Sequence, residues 1–232
     1  MGRKKRVRQH VNPLGLRYVA PRAQPIPELM RLGSRVPIDV ELGCADGRFS
    51  FELAKAHPDR FVVGLDIREK IIERNLRRVR LEGPPNLTFA YVNINVDLDR
   101  VFGTAAVDRF HLLFPDPWFK ARHHKRRVVD PWALGVMRRQ LRPGGELHVA
   151  SDVYEIALEA LAELEDSELA HLGFANLAGP WSFWRGNPFG AMSRREQTTL
   201  ARGQRVWRLR YGISGQSTSG RGSAPESVSQ PV

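Results

Sequence analysis

Between positions 38 and 66 the chain reads IDVELGCADGRFSFELAKAHPDRFVVGLD, and no other stretch restricts the fold as much. Residues 38–42 have the composition of a buried strand. Gly43-Cys44-Ala45-Asp46-Gly47 is a turn of small residues. Residues 48–57 then take helical periodicity, with Phe49, Leu53 and Ala54 on one face, until Pro58-Asp59 stops them. Residues 61–66 form a second strand that ends on an acid. Strand, glycine turn, helix and strand make up the first unit of a nucleotide-type α/β site. Gly43 and Gly47 let a ligand approach the backbone without a Cβ in the way. Asp66 lies about 20 residues beyond the turn, where such folds place a carboxylate for ribose hydroxyls. Two glycines at such a junction also have a purely steric reading.

The spacing bears on the ligand. A dinucleotide fingerprint is G-x-G-x-x-G, whereas the motif here is Glu41-Leu-Gly43-x-x-x-Gly47. A diphosphate is repelled by Glu41 and Asp46, while a ligand with a cationic centre and an α-amino group is not. S-adenosyl-L-methionine has both features and carries no phosphate.

The most unusual stretch is LLFPDPWFKARHHKRRVV at 112–129. It continues an apolar run at 110–114 with the length and character of a buried strand. Pro115 and Pro117 fix their own φ and push their predecessors toward extended geometry, so Asp116 is expected in a rigid, non-helical turn at a strand's C-terminal end. That edge is where open α/β sheets bind ligands. Trp118 follows, then Lys120, Arg122, Lys125, Arg126 and Arg127. A rigid carboxylate, an indole and these cations suit holding one base while gripping a nucleic-acid backbone. A plain turn followed by a solvated basic face is the blander reading. His123 and His124 have no Cys or acidic partner at zinc spacing, so no metal is expected.

Elsewhere, 67–81 is a basic amphipathic helix with Ile71, Ile72, Leu76 and Val79 inward. Strands are expected at 86–92, 108–114, 146–150, 174–177 and 205–211, and helices at 131–141 and 153–164. The second of these helices presents Ile156, Leu158, Leu161 and Leu164, and a short turn or helix covers 97–102. Asn93 suits the amino face of adenine or a cap on the next turn. Asp152 ends another strand and is either a ligand-facing acid or a helix cap. Trp181, Phe183, Trp184 and Phe189 suit base stacking or packing, and packing is favoured for most of them.

At 232 residues, with 42% hydrophobic content, the chain holds one sizeable domain plus tails. The formal charge of +11 favours a polyanionic partner. The single cysteine, Cys44, excludes an intramolecular disulfide. No apolar run reaches the ~18 residues a membrane span needs, and the N-terminus is too polar for a signal peptide, so a cytoplasmic location is expected. Residues 1–35 read as a basic N-terminal arm, 36–211 as the α/β core domain, and 212–232 as a disordered Ser/Gly/Pro-rich tail.

With these motifs placed, the sequence resembles the bacterial tRNA (guanine-N7-)-methyltransferases, the TrmB-like group of class I methyltransferases. FPDPWFKARHHKRRVV carries most of the resemblance, with RQHVNPL, ELGCADG, LRPGGELHVASD and SRRE in support. The resemblance implies an α/β, Rossmann-like fold: a mostly parallel seven-stranded sheet with helices on both faces. It implies that Glu41, Asp66, Asn93 and Asp116 line the S-adenosyl-L-methionine site beside Gly43 and Gly47. It makes Asp116 catalytic, and it assigns Lys120, Asp152, Ser193, Arg194, Arg195 and Glu196 to the tRNA guanosine. The reaction would methylate N7 of the guanine at position 46 in the variable loop of tRNA. This chain departs from the family in carrying Asp66 for the common Glu, Asn93 for Asp, Ser193 for Thr and Arg195 for an aromatic. The protein would act as a monomer or homodimer, without metal or membrane. The rivals are a silent Rossmann-like RNA-binding module, a class I methyltransferase with another substrate and, last, a nicotinamide-dependent oxidoreductase.

Overall fold

The structure, a computed structural model, describes residues 11–16, 18, 20, 22–32, 36–115 and 129–213. The expectations placed on Asp116, Lys120 and the rest of 116–128, on the basic residues of 1–10 and on the tail from 214 lie outside the described residues.

Seven strands form one sheet: β1 Ile38–Leu42, β2 Phe61–Asp66, β3 Leu87–Tyr91, β4 Val107–Leu113, β5 Leu141–Ser151, β6 Phe174–Asn176 and β7 Trp207–Ile213. Their order is β3-β2-β1-β4-β5-β7-β6. The first five run parallel, and β7 lies antiparallel to both β5 and β6. The helices are α1 Pro27–Met30, α2 Arg48–Ala56, α3 Glu69–Glu82, α4 Ile94–Asp97, α5 Pro131–Gln140, α6 Tyr154–Glu165 and α7 Arg194–Ala201, with 3-10 turns at Leu98–Arg100 and Ser167–Leu172. Strand order reverses between β1 and β4. The crevice beyond the carboxyl ends of those strands is therefore the expected ligand site.

The two faces of the sheet differ. One is apolar throughout: Val40, Leu42, Val63, Leu65, Phe110, Leu112, Leu147 and Val149 pack against Leu134 and Met137 of α5 and Leu161 and Leu164 of α6. On the other face, Val62, Leu113 and Ala150 pack with Phe49 and Leu53 of α2 and Ile72 of α3. Its centre carries buried polar groups. In register across the strands lie Glu41, His111, His148 and Arg210, and beside them Asp39, Arg109 and Glu146. Arg60 holds Asp39 through two hydrogen bonds of 2.8 and 2.7 Å, and Arg210 holds Glu146 at 2.8 and 2.9 Å. Phe189 caps this row, with its ring 4.7 Å from both histidine rings.

Several expectations change. The inner face of α6 is Ala157, Ala160, Leu161 and Leu164, and Leu158 is exposed. Small residues let this helix sit close to the sheet, so hydrophobicity alone misplaces its face. β7 runs through Ile213, because Gly212 and Ile213 pair with Ala175 and Phe174 of β6. The Pro143-Gly144-Gly145 turn lies inside β5 as an irregularity, where pairing passes from Val107↔Leu141 to Arg109↔Glu146. The chain before Val36 is fastened to the domain where it is described. The Asn93 side chain donates to the Pro13 and Tyr18 carbonyls at 2.8 and 3.0 Å, Asp97 accepts from the Arg22 N–H at 3.0 Å, and Ile26 is buried.

Candidate active site

The turn after β1 builds the first half of the site. Gly43 at φ +81, Ala45 at φ +46 and Gly47 at φ +73 all take left-handed backbone. The N–H groups of Gly43 and Cys44 donate to the Leu65 carbonyl at 2.9 and 2.8 Å, which ties the turn to β2. A Cβ on Gly47 would lie 2.7 Å from the Phe89 ring, so glycine is needed there for space as well as for φ. A Cβ on Gly43 would meet nothing within 4 Å. Gly43 therefore faces open room along the carboxyl edge of the sheet.

Two buried acids border that room. Glu41, 3% exposed, accepts from the backbone N–H of Ser50 at 3.2 Å and from its hydroxyl at 2.5 Å. Burial, followed by the nearby Asp46 and Asp66 carboxylates, pushes its pKa up to about 8. Among the described residues no cation pairs with it. Asp66, also 3% exposed, accepts from the Ala45 N–H at 3.0 Å and pairs with the Arg68 guanidinium at 2.8 and 2.7 Å. Asn93 is committed within the protein. Besides holding Pro13 and Tyr18, it caps α4 by accepting from the Asn95 N–H at 3.2 Å. Both of the roles open to it in the sequence concern the end of β3, and the structure shows the capping one.

The second half of the site lies across β4. The proline that follows Phe114 predicts extended geometry for it, but the residue has φ +52. Its N–H donates to the Ala150 carbonyl at 2.7 Å and its ring is buried. These contacts hold a backbone state that costs on the order of 1–3 kcal/mol for a bulky residue. The chain is thereby turned off the sheet immediately before Asp116. Beyond β5, Asp152 pairs with Arg195 through Nε at 2.9 Å and Nη2 at 2.8 Å, and it accepts from the Thr199 hydroxyl at 3.2 Å. Arg194 pairs with Asp46 at 2.8 Å and so links α7 to the glycine turn. Glu196, 2% exposed, holds Arg208 at 2.5 Å and Asn187 at 3.0 Å. Ser193 caps α7 by accepting from the Glu196 N–H at 3.2 Å.

The structure thus brings Glu41, Gly43, Gly47 and Asp66 together on one side of β4, and Asp152 with Ser193 to Glu196 on the other. Sequence reasoning missed α7 as a helix. The signal was present in Ser193-x-x-Glu196, the spacing of a capping box. It also missed Arg68, which holds Asp66, and Arg208, which holds Glu196. Among the described residues no group of three or more His, Cys, Asp or Glu could hold a metal ion, and no helix is long and apolar enough to cross a membrane.

This sheet order with an antiparallel β7, a glycine turn between two acid-bearing strands and a second acid cluster at the same edge define a class I, S-adenosyl-L-methionine-dependent methyltransferase. The fold is shared with the solved 16S rRNA methyltransferase KamB, at 21% identity and a TM-score of 0.57, over 81% of this chain and 92% of that one. The family described as "Putative methyltransferase" matches residues 35–209. The tRNA (guanine-N(7)-)-methyltransferase of Synechococcus sp. (strain JA-3-3Ab) is 38% identical over 210 residues, 88% of this chain and 84% of that protein. That of Microcystis aeruginosa (strain NIES-843 / IAM M-2473) is 37% identical over 215 residues, covering 90% and 99%. The chain belongs to the tRNA (guanine-N(7)-)-methyltransferase family.

Proposed function

We propose that the protein transfers a methyl group from S-adenosyl-L-methionine to N7 of guanine in tRNA, at position 46 of the variable loop. The carrying observation is the division of the carboxyl edge by β4. Acids suited to a cationic cofactor stand on one side, and a polar cluster suited to a guanine edge stands on the other.

The residues present fit the cofactor. Gly43 opens onto free space, and the Glu41 carboxyl, raised to about 8, ionises when an α-ammonium comes beside it. Asp66 would take the ribose hydroxyls, and Gly47 keeps the turn close. Asn93 supports the wall by holding Pro13, Tyr18 and α4. The bound cofactor supplies the methyl group on a sulfonium sulfur.

Guanine N7 carries a free lone pair at neutral pH, so the chain needs no strong base to create the nucleophile. Its task is to position the base in line and to handle charge. Methylation leaves positive charge on the imidazole part of the base. In this reading Asp116 accepts hydrogen bonds there and balances that charge. Asp152 accepts from the guanine N1–H and N2 amine, which adenine cannot match, once Arg195 turns to a phosphate. Lys120 and Arg194 hold the backbone, while Ser193 and Glu196 set the position of α7. The base has to be unstacked to reach the site, which a loop nucleotide makes cheap. The protein works in the cytoplasm, as a monomer or homodimer.

The test is methyl transfer from labelled S-adenosyl-L-methionine to unmodified bulk tRNA, with nucleoside mass spectrometry of the product. 7-Methylguanosine is the expected product, and another methylated nucleoside, or none, overturns the reading. Asp116→Ala should abolish turnover while leaving the thermal unfolding curve in place. Near-normal turnover would remove Asp116 from its role. A silent RNA-binding module is the second reading, and cofactor binding by equilibrium dialysis separates it.

A further inference from the structure

We propose that Tyr154, Trp207 and Arg205 form a stacking platform for a nucleotide that flanks the target guanosine. The inference rests on the tRNA reading above and adds a subsite to it.

Because β7 runs antiparallel to β5, its first residue lies beside β5's carboxyl end. Trp207 pairs with Ser151, the neighbour of Asp152. Tyr154 opens α6 two residues after Asp152. The rings of Tyr154 and Trp207 lie 4.7 Å apart at 52°, and Phe183, which packs against the core, stands 5.0 Å from Trp207 and 6.2 Å from Tyr154. The Arg205 guanidinium carbon lies 3.8 Å from the centre of the Trp207 ring. The result is a cluster of mutually tilted rings at the surface: Tyr154 is 44% exposed, Trp207 is half-buried, and Arg205 is exposed.

A cluster of this size on the rim of a site calls for a ligand with a π face. Bases stack on tyrosine and tryptophan and on guanidinium planes. Arg205 makes no ion pair among the described residues, and Arg202, also exposed, lies three positions before it in the segment between α7 and β7. A polyanion complements these two cations, whereas the same rim of a second copy repels them. The platform starts two residues from the acid assigned to guanine, within reach of an adjacent unstacked nucleotide. It does not require a particular base, since every base has a π face.

Tyr154→Leu keeps apolar bulk and removes the aromatic face, and Arg205→Ala removes the cation without touching the core. Each is compared with the wild type for tRNA Kd by filter binding at fixed salt, for KM and kcat with tRNA and with S-adenosyl-L-methionine, and for mass by size-exclusion chromatography. The expected result is a rise of at least about fivefold in tRNA Kd and KM in each variant, with the KM for S-adenosyl-L-methionine and the kcat at saturating tRNA unchanged. Wild-type Kd and KM in both variants overturn the platform and leave the methyltransferase reading intact. If the wild type binds tRNA but makes no 7-methylguanosine, the substrate reading fails and the Kd comparison still decides the platform. A wild type that does not bind tRNA overturns both. A dimer that Tyr154→Leu converts to monomer, with tRNA Kd unchanged, overturns the platform and makes this face a protomer interface.

Discussion

At the residue scale the protein holds two buried titratable groups whose pH effects have opposite sign. Glu41 has its pKa raised by burial to about 8 from the ordinary 4.5. The unfolded chain loses that proton first, so Glu41 costs the fold stability increasingly as pH rises from about 4.5 to 8. Glu41→Gln should therefore gain stability over the wild type at pH 8 and little at pH 5, as read by urea denaturation. The same variant should bind S-adenosyl-L-methionine at least tenfold more weakly. Cofactor binding to the wild type at pH 7 should release a proton, seen as a buffer-dependent heat in calorimetry. His148 behaves in the opposite way. Burial, with His111, Arg208 and Arg210 nearby, holds its pKa well below the ordinary 6.5. The unfolded chain takes up a proton first as pH falls, so stability is lost below about 6.5. Neither ring nitrogen of His148 has a hydrogen-bond partner among the described residues. An apolar ring therefore leaves no orphaned group behind. His148→Phe should lose less stability than the wild type between pH 7 and pH 5.

At the element scale, α7 does the most with the least apolar surface. Its sequence RREQTTLA buries only Glu196 and Thr199, so it owes its place to polar contacts: the Ser193 cap, Arg195 on Asp152, Arg194 on Asp46 and Glu196 on Arg208. Removing the cap with Ser193→Ala should cost about 1 kcal/mol of stability. It should also raise the KM for tRNA more than that for the cofactor, because α7 carries the guanine side of the site. Unchanged kinetics in that variant would show that α7 only packs. The end of β4 is the complementary case, where Phe114 is held in left-handed backbone by its bond to Ala150 and the burial of its ring. The proline rule that predicts extended geometry there is local, and the contacts that overrule it are not.

At the scale of the whole molecule, a formal charge of +11 meets a polyanionic substrate. If six or more phosphates are neutralised, tRNA affinity should fall by about 10³-fold or more between roughly 50 and 200 mM salt. Binding of S-adenosyl-L-methionine, which carries no phosphate, should hardly change over that range. Ile213 is buried and pairs with β6, so a chain ending at Ile213 should keep its activity, and one ending at Tyr211 should lose stability. Thermal melts of both truncations check this.

The repeating strand and helix pattern, the glycine turn, Asp66 at the end of β2 and the proline-flanked Asp116 are all legible in the order of residues alone. Each rests on neighbours within a few positions, and periodicity and turn chemistry express such short-range constraints directly. The rest depends on how distant segments pack in three dimensions. That packing put the polar row of Asp39, Glu41, His111 and His148 on one face of a buried sheet, tied Asn93 to Pro13 and Tyr18, and brought α7 across from Asp152. It also set Trp207 beside Ser151. These pairings join residues tens of positions apart through strand order and register, and no local pattern carries that information.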